Sequence, residues 1–275
     1  MNKYLKDISL NFEQKDQICF AKNLEKISYP ENDNNSCYRL EDNSFWFKHR
    51  NNCIFATIQN FIKKDIIFDI GGGNGFVSKF FQDNNIETFL VEPGIAGILN
   101  AKKRGVKNLI NANFDDNFND NSIPNIGIFD VLEHIENDVS FLQNIHNKLE
   151  NNGLLFITVP AYQFLWSDID RYSQHYRRYP LKSIKKTLNF SNFKIIYSTY
   201  FFNFLPLPIF LFRTLPSFFA KNFSSQKVKT FKTSDEHKSK NSKIINFLLN
   251  WELKRIKRKK TIHFGGSCLI VAQKK

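Results

Sequence analysis

Apolar and polar positions along this chain follow two rhythms that alternate at short intervals. From Ser44, SFWFKHRNNCIFATIQNFI places Trp46, Arg50 and Ile54 on one face at i, i+4 and i+8, which predicts a helix. DIIFDI (65–70) predicts a strand ending at glycines, and GFVSKFFQDN (75–84) a helix. ETFLVE (87–92) predicts the second strand, AGILNAKKRG (96–105) a helix with Gly105 as C-cap, and KNLINAN (107–113) the third strand. IPNIGIFDV (123–131) predicts the fourth strand, and NDVSFLQNIHNKLENNG (137–153) a helix ending near Gly153. GLLFITVP (153–160) is apolar throughout, as a strand covered on both faces must be. FKIIYSTYF (193–201) and SCLIVAQK (267–274) are further strand candidates. Residues 1–43, including the Asn-rich PENDNNS at 30–36, read as a polar, irregular extension before a main domain spanning 44–275. Repeated strand–helix units predict a doubly wound α/β fold with a mostly parallel sheet.

Composition agrees with one folded core. The chain has 275 residues, 42% hydrophobic and 15% aromatic with 30 Phe, which argues against disorder. The start, MNKYLKDISLNFEQKD, has no apolar core of signal-peptide length, and no run of about 18 apolar residues predicts a spanning helix. The four cysteines (Cys19, Cys37, Cys53, Cys268) form no CxxC or other zinc-ligand spacing, and no His cluster accompanies them. The expectation is reduced thiols in a cytoplasmic protein without a metal.

The net charge of +13 is uneven. Residues 221–261 hold 13 Lys or Arg against Asp235, Glu236 and Glu252, so that segment carries +10 and the rest only about +3. Nucleic acid, an acidic membrane surface or solubility each explain such a segment.

The candidate chemistry begins at DIGGGNGF (69–76). A glycine-rich turn at the carboxyl end of a strand admits a ligand against the backbone, and nucleotide cofactors are the usual occupants. The phosphate-loop pattern GxxxxGK[ST] is absent. The dinucleotide pattern GxGxxG fits poorly, because Phe76 or Ser78 stands where the third small residue belongs. What remains is an acid followed by GxGxG: Asp69, Gly71, Gly73, Gly75, with Glu92 ending the next strand. A carboxylate there can accept from two ribose hydroxyls. The alternative is a tight turn with no ligand.

This arrangement resembles motif I of the class I S-adenosylmethionine-dependent methyltransferases. NANF (111–114) resembles the family's adenine-contacting pair, here Asn113 and Phe114, and FDVLEHIEND (129–138) resembles its fourth-strand segment. LENNGLLFITVPAY resembles the family's fifth-strand turn, with Asn152 in place of a Gly, and VPAYQFLWSDIDRYSQHYRRYP resembles a bacterial branch associated with cell-surface glycan or lipid modification. The resemblance implies a Rossmann-like sheet of seven strands with the last antiparallel, and S-adenosylmethionine as cofactor. It implies that Asp69, Gly71, Gly73, Gly75, Glu92, Asn113, Phe114 and Asp130 line the cofactor site.

In that fold the segment after the fifth strand lies beside the methyl group. Here it holds Trp166, Asp168, Asp170, Arg171, Tyr172, His175, Arg177, Arg178 and Tyr179. His175 is the candidate general base. Trp166, Tyr172, Arg177 and Arg178 are candidates for holding the acceptor, the arginines as clamps for a phosphate or carboxylate. The competing reading is that Asp168, Asp170 and the arginines pair with one another and order the loop. His134 is read as a structural cap on the next helix rather than a base. Arg50 is read as a surface residue, the alternative being a reach to the cofactor's carboxylate.

A helical insertion before the last strand, at about 201–266, begins with YFFNFLPLPIFLFRTLPSFF (200–219), apolar but broken by Pro206, Pro208, Arg213 and Pro216. Followed by the basic stretch ending in NWELKRIKRKK (250–260), it is expected to form either a buried wall or a lid that leans on an anionic membrane. The expected enzyme methylates a small-molecule, lipid-linked or glycan-linked acceptor. The alternatives are a non-catalytic cofactor-binding scaffold and, with no N-P-P-Y-like motif to support it, a nucleic-acid methyltransferase.

Overall fold

The computed structural model describes residues 12–22, 31–114, 117–219 and 242–275. One sheet of nine strands runs in the order β1-β2-β5-β4-β3-β6-β7-β9-β8. The strands are β1 (Phe12–Lys15), β2 (Ile18–Ala21), β3 (Ile66–Ile70), β4 (Glu87–Val91), β5 (Asn108–Asn111), β6 (Ile123–Phe129), β7 (Leu149–Pro160), β8 (Phe193–Phe201) and β9 (Ser267–Lys274). The helices are α1 (Glu31–Glu41), α2 (Phe45–Phe61), α3 (Phe76–Asp83), α4 (Ile95–Arg104), α5 (Asp138–Lys148), α6 (Asp168–Tyr172), α7 (Leu181–Phe190), α8 (Pro206–Ile209), α9 (Leu215–Phe219) and α10 (Lys243–Lys257). A π-helical turn, Phe210–Thr214, joins α8 to α9.

The expected seven strands are present, with β9 antiparallel to both β7 and β8. The count is nine because residues read as irregular form a hairpin. β1 and β2 pair antiparallel, and β2 then runs parallel to β5. The hairpin turns at Asp16 and Gln17, both at positive φ (46° and 69°). Such turns favour Asn or Gly, so the sequence carried no turn signal. The helix 137–153 stops at Lys148: Leu149 already pairs with Ile123 and opens a long β7 with a left-handed Asn152 (φ 63°). Helices α1 and α7 were not anticipated either.

Phe68 and Phe89 stack across β3 and β4 with ring centroids 4.7 Å apart, on the face that also buries Leu142 and Ile145 of α5 and Ile184 and Leu188 of α7. Ile67, Phe156 and Val271 on the opposite face pack against Ile54 and Ile58 of α2, Phe81 of α3 and Ile256 of α10. Strand order reverses between β3 and β6, so the crevice beyond their carboxyl ends is where such a sheet binds ligands.

Cys53 does have polar company: its Sγ lies 3.3 Å from His49 Nε2, one turn earlier on α2. His49 in turn lies 2.7 Å from Glu252 of α10, which also accepts from the backbone N–H groups of Phe202 (2.8 Å) and Asn203 (2.9 Å). Glu252 thus ties the end of β8 to two helices.

Candidate active site

The loop after β3 turns through three left-handed glycines, Gly71 (φ 68°), Gly73 (φ 52°) and Gly75 (φ 73°). They serve different purposes. A Cβ on Gly71 would come within 2.9 Å of Val131, and one on Gly75 within 2.8 Å of Ala101 and Val106, so these two allow protein to pack on the loop. A Cβ on Gly71 would therefore intrude on protein rather than on a ligand. A Cβ on Gly73 would meet nothing within 4 Å, which leaves open space over the backbone there. Gly97 of α4 permits the helix to approach: its Cβ would lie 3.0 Å from the Gly73 carbonyl.

Glu92 is buried, and its carboxylate accepts from Gly73 N–H (3.0 Å) and Gly94 N–H (2.7 Å), which fixes the loop against the end of β4. Asp69 lies beneath the loop, 1% exposed, and accepts from Ser78 Oγ at 2.6 Å. Burial raises its carboxyl to about 6, against the lowering effect of the Ser78 bond. Asp69 therefore shapes the loop from below. Asn113 Oδ1 is buried without a hydrogen-bond partner among the described residues, and the Phe114 ring lies 5.1 Å from that of Phe118.

The N-terminal extension covers this loop. Asn74 donates to the Asn34 carbonyl (2.9 Å) and to Glu41 (3.1 Å) of α1, and accepts from Asn100 of α4 (3.0 Å). Arg104 donates to Glu41 (2.7 Å), Asp42 (2.7 Å) and the Asn74 carbonyl (3.1 Å), and sits over the Tyr38 and Phe76 rings. Sequence reasoning missed this network, since single Asn and Arg residues in polar stretches carry no periodic signal.

At the end of β6 the structure corrects the reading of Arg50 as a surface residue. Its guanidinium is buried, donates to the Phe129 carbonyl (2.7 Å), pairs with Asp130 (2.5 Å) and lies over Trp46. Asp130, itself left-handed (φ 57°), also accepts from Thr158 Oγ1 at 3.1 Å. Glu133 is 1% exposed, and burial first, then Asp130, pushes its carboxyl well above the ordinary value. His134 does not cap the next helix; Asn137 does, accepting from Ser140 N–H at 3.1 Å. The His134 ring instead meets that of His175 edge to face, centroids 4.7 Å apart.

In the segment after β7 the acids and arginines do pair. Asp168 pairs with Arg171, and the buried Asp170 accepts from Arg178 Nε (2.7 Å) and Nη2 (3.0 Å). Arg177 reaches Asp138 (3.0 Å) and the Glu136 carbonyl (2.5 Å) instead. Arg178 is thus paired with Asp170 as the loop-ordering reading has it, whereas Arg177 turns to partners outside that set. Tyr179 is buried and donates to Asp138 at 2.8 Å. Trp166 and Tyr172 are half-buried in the same segment. His175 Nδ1 lies 2.9 Å from Asp170 Oδ1, and because a carboxylate only accepts, Nδ1 is the donor of that bond and Nε2 is the nitrogen left for another partner. Burial raises the Asp170 carboxyl, but bonds from His175 and Arg178 outweigh it and hold the group well below the usual range.

The residues present fit S-adenosylmethionine on two counts, the open backbone at Gly73 and the unanswered Asn113 oxygen, which an adenine amino group can satisfy. That cofactor supplies a methyl group activated by a sulfonium.

A family profile described as a methyltransferase domain matches residues 44–198. No curated protein matches in sequence. Among solved structures, a chain from the complex between the Haloferax volcanii Trm112 methyltransferase activator and a putative methyltransferase aligns with a TM-score of 0.58 at 13% identity, covering 90% of this chain and 99% of that one. A possible histamine N-methyltransferase from Thermotoga maritima aligns at 0.54 and 14% identity, covering 89% and 98%. An S-adenosylmethionine-dependent methyltransferase from Archaeoglobus fulgidus aligns at 0.51 and 18%, covering 79% and 89%. With the profile spanning more than half the chain and the glycine loop, Glu92 and strand order in register, the chain belongs to the methyltransferase-domain family and is an S-adenosylmethionine-dependent methyltransferase.

Proposed function

We propose that this enzyme methylates a lipid-linked or glycan-linked acceptor, at oxygen or nitrogen, from the inner face of a membrane. The observation that carries the reading is the outward apolar face of the insertion. Leu207, Phe212 and Phe218 are 66%, 65% and 72% exposed. The same segment touches the loop after β7, where Asp168 N–H donates to Ser217 Oγ (3.1 Å) and the Phe164 ring lies 6.3 Å from Phe210. A buried wall would hide those side chains. Exposed apolar side chains followed in the chain by clustered cations suit an anionic bilayer surface. No described helix is long and apolar enough to cross a membrane.

In this reading Glu92 and the Gly71–Gly75 turn hold the cofactor, with Asn113 and Phe114 at its base. The acceptor enters along the loop 161–180, where Trp166 and Tyr172 bound it. His175, oriented by Asp170, engages the acceptor's nucleophile through Nε2. In-line displacement requires that nucleophile, methyl carbon and sulfur be aligned with water excluded.

The test is transfer of labelled methyl from S-adenosylmethionine to a membrane lipid extract. Wild type labels a lipid fraction, and His175→Ala lowers that turnover about 100-fold or more while cofactor affinity stays within twofold. Label confined to water-soluble acceptors overturns the lipid-linked reading; full turnover in His175→Ala overturns the role of His175.

A further inference from the structure

We propose that Glu133, His134 and His175 form a binding site for a divalent cation at the carboxyl edge of the sheet. Each residue offers one ligand atom, and these atoms all lie within 4.8 Å of one another. Around a bound ion with ligand distances of about 2.0–2.2 Å they would need to close in by an ångström or so, within reach of side-chain rotation. Two imidazole nitrogens and one carboxylate oxygen suit borderline cations such as Mn2+ or Zn2+, and three protein ligands leave coordination positions open.

Two features of the cluster point to a ligand. Glu133 is 1% exposed, yet its Oε2 has no hydrogen-bond partner among the described residues. A buried carboxylate oxygen left unanswered is costly, and a cation answers it. His175 is held by Asp170 through Nδ1 at 2.9 Å, with Asp170 braced by Arg178, so its ring is fixed in orientation and Nε2 is the nitrogen left for a ligand. A carboxylate behind a histidine is the usual support for a metal-ligating imidazole.

The second such grouping among the described residues, His49, Cys53 and Glu252, makes the contrast. There both Glu252 oxygens already accept bonds, from His49, Phe202 N–H and Asn203 N–H. Those three residues are satisfied as they stand, whereas Glu133 is not.

The site lies two residues beyond Val131, which packs on Gly71 of the cofactor loop. Resting on the reading that the acceptor lies at His175, the cation would stand between Nε2 and the acceptor, whose hydroxyl or carboxylate oxygen would take an open coordination position in place of a direct contact with the imidazole. The arginines whose charge reaches the Glu133 carboxyl, Arg50 and Arg178, are each paired with an aspartate, Asp130 and Asp170, and neither donates to its Oε2.

The experiment titrates tag-free, full-length protein with Mn2+, Zn2+ and Mg2+ by calorimetry, and follows Mn2+ by electron paramagnetic resonance. One saturable site for Mn2+ or Zn2+ is expected, with nitrogen hyperfine coupling in the Mn2+ spectrum. Glu133→Gln and His175→Asn should each weaken binding at least tenfold while S-adenosylhomocysteine still binds, which certifies the fold; His134→Gln serves if either variant fails that check. Absence of saturable binding for all three ions overturns the proposal, as does unchanged affinity in the variants that bind S-adenosylhomocysteine. Neither result touches methyl transfer itself, which the lipid-extract assay reads separately.

Discussion

A methyl group added at Gly71 and one added at Gly73 meet opposite surroundings. At Gly71 it strikes Val131; at Gly73 it enters open space, which the proposed reading gives to the cofactor. Both positions are left-handed, so both substitutions carry a backbone penalty of about 1–2 kcal/mol. Gly71→Ala should therefore cost more in melting temperature, while Gly73→Ala should cost at least tenfold in cofactor affinity by calorimetry with a smaller loss of stability. Equal affinity in the two variants would contradict this division. Glu92→Ala orphans two backbone donors and should weaken cofactor binding by about 1–3 kcal/mol. Asp69 yields a pH prediction. Its carboxyl titrates near 4 when unfolded and at about 6 when folded, so the folded state holds the proton more tightly. The stability this gives is present below about pH 4 and is lost as pH rises to about 6, a change on the order of 3 kcal/mol. Asp69→Asn keeps the shape and removes the titration. Its stability relative to wild type, from urea midpoints, should rise between pH 4 and 7; a pH-independent difference would refute the assignment.

At the scale of elements, Arg104 is the clasp between α1 and α4. Its guanidinium meets Glu41, Asp42 and the Asn74 carbonyl, beside the glycine loop. Glu41 is buried, and burial raises its carboxyl despite the guanidinium. Arg104→Ala leaves that acid without its cation and should cost about 3 kcal/mol. Because Asn74 follows Gly73, cofactor affinity should fall with it. Hydrogen exchange across residues 34–42 should accelerate strongly; unchanged protection there would show that α1 is held by other contacts.

At the scale of the molecule, α10, itself within the insertion, carries an apolar stripe that runs into the basic stretch 254–260. Ile244, Phe247 and Trp251 are exposed at i, i+3 and i+7, and Lys254 and Arg258 continue the same face. Residues 220–241, which hold six more lysines, lie outside the described residues. Each cation near an anionic surface contributes about 1 kcal/mol. The protein should co-sediment with anionic but not neutral vesicles at low salt, and release at high salt. Gln at Lys254, Lys257, Arg258 and Lys260 should abolish this; Arg255 is spared because it donates to the Thr261 carbonyl (2.9 Å), and Lys259 because it lies over Phe61. No sedimentation with either vesicle type at low salt would remove the membrane from the reading.

The strand–helix alternation of residues 44–113 and 123–160, the glycine turn and Glu92 were legible along the chain, because local periodicity and glycine's freedom at positive φ act within a few residues. The β1–β2 hairpin was not legible, since its turn lacks Gly and its stability comes from pairing with β5, some 90 residues away. Nor were the roles of charged side chains. Arg50 reads as a surface residue on its own helix, and becomes buried only because Phe129 and Asp130 arrive from β6. Arg177 and Arg178 are neighbours in sequence, yet one turns to Asp138 and the other to Asp170. Glu133 and His134 meet His175 across 41 residues. Backbone preference is local, so the order of elements could be read directly; a buried charge takes its meaning from whichever partner folding delivers, and only the tertiary structure decides that.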